Sequence, residues 1–262
     1  GVSKLFKVHV NDGQSEIPSD DICYIVAKEG IFLKKKLGIM ESIAPVKNIS
    51  ILESVSASAR MNINPIPAAT FAKVVEFFRE VHRQYTSEAM VLLFYNEETG
   101  KYRVLPPKQS VTYGGINYDR NLTIEGFTMV GDIHSHGSMS AFHSGVDDSD
   151  EDSFDGLHIT VGNVADEEFS LSGSIVSNGY RFMVEPEHYV LGIRKTKDID
   201  ETEKKSTHKI YKWVDGKMVL DEKATARSAY TVRKFDKRYV TLVTPSKRQF
   251  NQNWMKLVEK GT

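Results

Sequence analysis

The chain has 262 residues, 40% of them hydrophobic and 26% charged, with a net charge of −1, which is ordinary for a folded globular protein. No apolar run approaches the ~20 residues needed to cross a bilayer, and nothing at the N-terminus looks like a signal peptide. A membrane or secretory role is therefore not expected, and the expected location is the cytoplasm.

The elements are predicted in chain order. Residues 5–10 read as a short strand, followed by a turn at Asn11-Asp12-Gly13. Residues 24–27 and 31–33 flank Lys28-Glu29-Gly30 and read as a hairpin. Residues 43–46 and 49–52 predict further strands. Cys23 is the sole cysteine, so an internal disulfide and a cysteine-rich zinc knot are both excluded. Its apolar neighbours, Ile22 and Tyr24 to Val26, favour a buried structural thiol over a nucleophile. The prolines of residues 62–67 mark a boundary. Residues 1–66 are thus a β-rich segment with no catalytic constellation.

Phe71, Val74, Val75, Phe78, Val81 and Tyr85 recur at helical spacing and predict a helix over 68–85, with His82 structural or at the surface. Residues 88–95 form a nearly unbroken apolar run that reads as a strand buried on both faces. Residues 101–105 return after a turn, and residues 111–113 and 122–124 continue the sheet or its connections. The next strand, residues 126–133, runs into His134-Ser135-His136. Residues 157–162 and the hairpin 169–176/180–184, turning at Asn178-Gly179, complete the core. His158 alternates with apolar neighbours and reads as an interior histidine.

The C-terminal part differs. Residues 194–262 carry 18 Lys/Arg against 9 Asp/Glu, while residues 1–193 carry 16 against 26. Either a basic arm for an acidic partner or neutralisation within one fold accounts for this. Residues 195–207 read as a linker or exposed loop, and Asp215-Gly216 as the turn of a hairpin between 210–214 and 217–220. Residues 230–232 and 239–243 are expected to pair, and residues 250–260 to form a terminal helix with Trp254, Leu257 and Val258 on its apolar side.

The chemistry concentrates in residues 131–147. Residues i and i+2 of a strand share a face ~7 Å apart, so His134 and His136 can converge on one metal ion. Asp147 can add a carboxylate oxygen from the next element. Two histidines, one aspartate and no cysteine suit zinc with a fourth position open, the arrangement of a catalytic rather than a structural site. Ser144-x-x-Asp147 alone would be only a helix capping box. The joint pattern of His-x-His, seven residues, Ser, two residues, Asp is far more specific. The acidic run after it (Asp148, Asp150, Glu151, Asp152 and Asp155) matches a helix first turn, and could also attract a basic substrate surface.

On His134, Ser135, His136, Ser144 and Asp147 the chain resembles the JAMM (JAB/MPN) zinc metalloproteases, isopeptidases that release ubiquitin and ubiquitin-like proteins. The match covers about residues 67–190. Gly137 departs from the proline many members carry, which touches the loop and not the ligands. The resemblance implies an α/β (α+β) fold: a mixed curved β-sheet flanked by helices, a cytidine-deaminase-like JAMM core, with extra β-rich segments at 1–66 and a basic extension at 191–262. It also implies one Zn²⁺ per chain held by His134, His136 and Asp147.

The same resemblance gives Glu88, at the start of the strand after the first helix, as the base for a zinc-activated water. Glu97 and Glu98 lie in a turn, and Glu125 breaks the element order. Ser144 would stabilise the oxyanion. Asp132, sharing strand parity with His134, and Asp148, beside Asp147, are candidates to orient ligands. His143 could touch substrate. The implied partners are ubiquitin or a ubiquitin-like protein, its conjugates, and ubiquitin-activating or conjugating-like enzymes, as for bacterial JAB proteins of the PRTRC type.

Three other readings stand beside this one. They are an MPN-type scaffold that binds without cutting, a zinc peptidase acting on small carrier-protein conjugates, and a DNA-processing relative. The last carries His-Asn-His-Pro where this chain has His-Ser-His-Gly, so nucleic acid is not expected.

Overall fold

The computed structural model describes residues 7–112, 115–119, 121–141, 154–206, 211–214, 217–220, 223 and 230–261. The chain divides into two compact units, Gly1–Ala57 and Ser58–Thr262. Among the described residues no helix is long and apolar enough to cross a membrane.

The first unit is a four-stranded sheet of β1 (Lys7–Val10), β2 (Ile22–Ala27), β3 (Gly30–Leu37) and β4 (Met40–Pro45) in that order. β1 lies parallel to β2, and the remaining pairs are antiparallel. Cys23 is buried and free, as its apolar run predicts. Residues 49–52, expected as a strand, instead close a turn in which Leu52 N–H donates to the Ile49 carbonyl at 3.0 Å. The side chains of Ile51 and Leu52 are exposed, so two apolar residues there mark no core.

The second unit opens with α1 (Ala68–Tyr85), the bounds that the apolar period predicts. Phe71, Val74, Val75, Phe77, Phe78 and Val81 are all fully buried. The helix ends at Thr86, whose left-handed backbone lets its N–H donate back to the His82 carbonyl. No acidic side chain occupies the first turn, but His82 and Arg83 complement the dipole at the last.

After α1 come β5 (Met90–Asn96), β6 (Lys101–Leu105), β7 (Gln109–Thr112), β8 (Gly115–Tyr118), β9 (Thr128–Ser135), β10 (Gly156–Gly162), β11 (Phe169–Ser177) and β12 (Tyr180–Val184). Then follow β13 (Ile193–Ser206), β14 (Tyr211–Val214), β15 (Lys217–Leu220), β16 (Tyr230–Thr241) and β17 (Val258–Lys260). The main sheet has eight strands in the order β13-β16-β11-β10-β9-β5-β6, with β12 also paired to β11. It is mixed, because β9 and β10 run parallel and their neighbours antiparallel. The fold is thus α+β, rich in strand and poor in helix.

One face of the sheet carries the core. Val91, Leu93, Ile133, Leu157, Ile159 and Val161 alternate inward against α1. Burial of each such side chain contributes about 1.5–3 kcal/mol. The C-terminal stretch completes this layer: Phe77 of α1 meets Phe250 at 5.6 Å and Trp254 at 5.4 Å, both edge-on.

Three C-terminal expectations change, and one in mid-chain. Residues 195–206 are not a linker, for β13 pairs along β16 from Ile193↔Thr241 to Ser206↔Tyr230. A ladder is made by backbone groups, so a charged composition reports poor burial and not absence of pairing. Residues 230–232 and 239–243 do not pair with each other, since 230–241 is one strand. The expected terminal helix is a six-residue 3₁₀ turn, Gln252–Leu257, that leads into β17. There Val258 pairs with Gln109, so the ladder with β7 overrides helix formation. Residues 122–124 form no strand, only an isolated bridge between Ile124 and Phe127. The hairpin of β11 and β12 forms as the Asn178-Gly179 turn predicts, those residues taking φ of 51° and 75°, whereas residues 5–6, 113, 210 and the Asp215-Gly216 turn lie outside the described residues.

Candidate functional site

The sheet face opposite α1 is polar at its centre. Register sets this directly: Asp132 lies beside His158 and His134 beside Thr160 in the parallel β9–β10 pair, and Met90 opposes His134 across β5–β9. Side chains at paired positions project to the same face, so Asp132, His134, His158 and Thr160 stand together while Ile133, Ile159 and Val161 turn to the core. All four polar residues are buried.

His134 and His136 come together as the strand periodicity predicts, with ring centroids 5.4 Å apart and planes at 45°. His134 is on β9, and His136 lies just past its end, still held to β10 by its N–H to the Val161 carbonyl at 2.9 Å. Each ring has its Nδ1 against an oxygen that can only accept. For His134 this is Asp132 Oδ1 at 3.1 Å, and for His136 the Ser140 carbonyl at 3.1 Å. Both Nδ1 atoms therefore carry hydrogen in the neutral rings, and the lone pair falls on Nε2. The Thr160 hydroxyl lies 3.2 Å from His134 Nε2 and can donate to it.

The turn that presents the Ser140 carbonyl depends on Gly162. A Cβ there would collide with the backbone of Met139, Ser140 and Ala141, so only glycine lets that turn lie flat on β10. The Ala141 N–H donates to Ser170 Oγ at 2.7 Å, and the Asn163 N–H to the Met139 carbonyl at 2.7 Å, fixing the turn from both sides.

Asp132 is only 3% exposed, and its two oxygens serve two imidazoles: Oδ1 faces His134, and Oδ2 lies 2.6 Å from His158 Nδ1. Burial alone would raise the Asp132 pKa, but hydrogen bonds from His134 and His158 outweigh it and hold the carboxyl at about 2. The carboxylate is therefore a constant acceptor at neutral pH.

Glu88 is buried two residues before β5. The Ser135 N–H donates to the Ala89 carbonyl at 2.8 Å, and the Ala89 N–H to Ser135 Oγ at 2.9 Å. Together with Met90↔His134, this pairing brings Glu88 level with His136. On the outer side Gln109 grips Met90, accepting from its N–H and donating to its carbonyl, both at 2.9 Å. The middle residue of His-Ser-His thus ties the residue after Glu88 to the end of β9. Ser135→Ala should strand the buried Ala89 N–H and cost about 1–3 kcal/mol. Urea denaturation checks this, and an unchanged midpoint would show the bond to be dispensable.

His158 is an interior histidine with both ring nitrogens engaged, Nε2 lying 2.7 Å from the Phe154 carbonyl. Composition could not name Asp132 as its partner, although the alternation of both strands placed each residue on a definite face. Asp155 accepts from the Asn178 N–H at 3.1 Å and belongs to a turn. Ser144, Asp147, Asp148 and His143 lie outside the described residues, as do Asp150, Glu151 and Asp152. Among the described residues no group of three His, Cys, Asp or Glu is arranged to hold a metal ion. No protein-family model matches the chain, and no curated protein matches its sequence.

Proposed function

We propose that this chain is a zinc-dependent isopeptidase or peptidase with a JAMM-type core, cutting the amide bond that joins the C-terminus of ubiquitin or a ubiquitin-like protein to a lysine or to a short extension. One observation carries the reading. Two neighbouring imidazoles each have Nδ1 against a fixed acceptor, so that Nε2 is the atom each would offer to a metal ion. The donor set fits zinc: two imidazole nitrogens here, and the carboxylate of Asp147 by its spacing from His136. Bound there, one zinc per chain would supply Lewis acidity that polarises the scissile carbonyl and lowers the pKa of water towards ~7.

The chain's own residues do the rest. Glu88, level with His136, takes a proton from the attacking water and passes it to the departing amine nitrogen. Ser144 donates a hydrogen bond to the carbonyl oxygen as charge develops on it, a contribution often worth ~3 kcal/mol. Next to Ser140 opens a recess of about 320 Å³, walled by Ser170 to Gly173 of β11 and by Met183 to Pro186. It supports the reading as a place for a substrate residue beside the scissile bond. The working location is the cytoplasm, with ubiquitin-activating or conjugating-like enzymes as the source of substrate.

The test is zinc content by mass spectrometry, together with hydrolysis of ubiquitin and ubiquitin-like fusions carrying short C-terminal extensions. The expectation is one zinc per chain, cleavage after the terminal glycine, loss of cleavage on chelation and recovery on adding zinc. A wild-type protein that takes up no zinc at micromolar concentration would overturn the proposal.

A further inference from the structure

Asp132 and His158 form a buried chain that ends on His134, and sequence spacing gives no reason for its outer half. The Asp132 carboxylate bridges the two rings at 3.1 Å and 2.6 Å. His158 is in turn held from behind, its Nε2 2.7 Å from the Phe154 carbonyl and its ring edge-on to Phe154 at 5.0 Å. The two nitrogens of His158 face the Asp132 carboxylate and the Phe154 carbonyl, so the ring is held from both sides. The strands enforce the arrangement: His158 and Asp132 are register partners, and their backbones approach where Gly131 and Gly156 leave no side chain between them.

We propose that His158 is a positioning residue for the proposed metal centre: through the Asp132 carboxylate it holds His134 in the tautomer that carries hydrogen on Nδ1 and the lone pair on Nε2. The inference rests on the proposed zinc site for its consequence, but not for its geometry. A carboxylate serving His134 alone could rotate about its Cα–Cβ and Cβ–Cγ bonds and take either imidazole nitrogen. Clamped by His158 at Oδ2, Asp132 presents Oδ1 at one place, and His134 Nδ1 donates there. His158 touches no substrate and moves no proton in the reaction. Its effect is read out at another ring.

The experiment uses the full chain, metal-free and zinc-loaded, as wild type, His158→Asn and His158→Leu. Asparagine keeps a donor towards Asp132, whereas leucine keeps none. Imidazole ¹⁵N spectra of the metal-free wild type should show His134 with hydrogen on Nδ1, and His158→Leu should show a mixture of both tautomers. In competition with a chromogenic chelator, His158→Leu should bind zinc 10–100-fold more weakly, and His158→Asn should recover most of that loss. Thermal unfolding confirms that each variant is folded. If His158→Leu does not fold, the wild-type tautomer and the asparagine variant decide. A wild-type His134 with hydrogen on Nε2 overturns the proposal, as does a His158→Leu with the wild-type tautomer and zinc affinity. If the wild type binds no zinc yet His134 shifts tautomer in His158→Leu, the positioning role stands and only the metal reading falls.

Discussion

Glu88→Gln is expected to reduce turnover of a ubiquitin-like fusion by about 10²–10⁴-fold while leaving zinc affinity within a few-fold of wild type. The substitution keeps size and shape but removes the ability to accept a proton, so it separates base chemistry from packing. The local structure makes this separation clean. Thr86 ends α1 in a left-handed conformation, the chain turns within two residues, and Ala89 is fastened to Ser135 by two hydrogen bonds. Because Glu88 is fixed by its neighbours' backbone bonds, an amide there should not move His134 or His136. kcat should carry the whole loss, with KM nearly constant. Cleavage by Glu88→Gln at the wild-type rate would remove Glu88 from the mechanism and leave the base to another residue.

What could be read in advance divides along a physical line. Local periodicity located α1 to its end residues, because six apolar side chains repeat on one face and nothing in that window competes. It also located His134 and His136 on one face, since alternation is a property of the strand itself. Pairing was another matter. Asp132 meets His158 across 26 residues of chain, and only the parallel register of β9 and β10 joins them. The charged composition of β13 reads as a linker, yet its backbone is paired along most of its length. Ser144 and Asp147 lie outside the described residues and enter the proposal by spacing alone, whereas His134 and His136 also stand together in the structure.

The close approach of β9 and β10 gives the second large prediction. Gly131→Ala should destabilise the protein by about 3 kcal/mol or more and weaken zinc binding with it. The position where its Cβ would stand is already taken by the Leu157 carbonyl, and that carbonyl belongs to a ladder that cannot yield without breaking. Gly156 makes the same demand from the other side, where a Cβ would lie 2.6 Å from the Val130 carbonyl. Separating the strands here acts on the very next residue, since Asp132↔His158 follows Gly131↔Leu157 in the register. Gly179→Ala is the control. Gly179 has φ of +75° but nothing within 4 Å, so alanine there adds backbone strain alone, about 1 kcal/mol. Urea midpoints measured at constant m-value should therefore rank wild type above Gly179→Ala and both well above Gly131→Ala. If the two substitutions cost the same, crowding at Leu157 is not what holds the strands in register. The shared burial of Asp132 and His158 would then have to come from the side-chain bonds themselves.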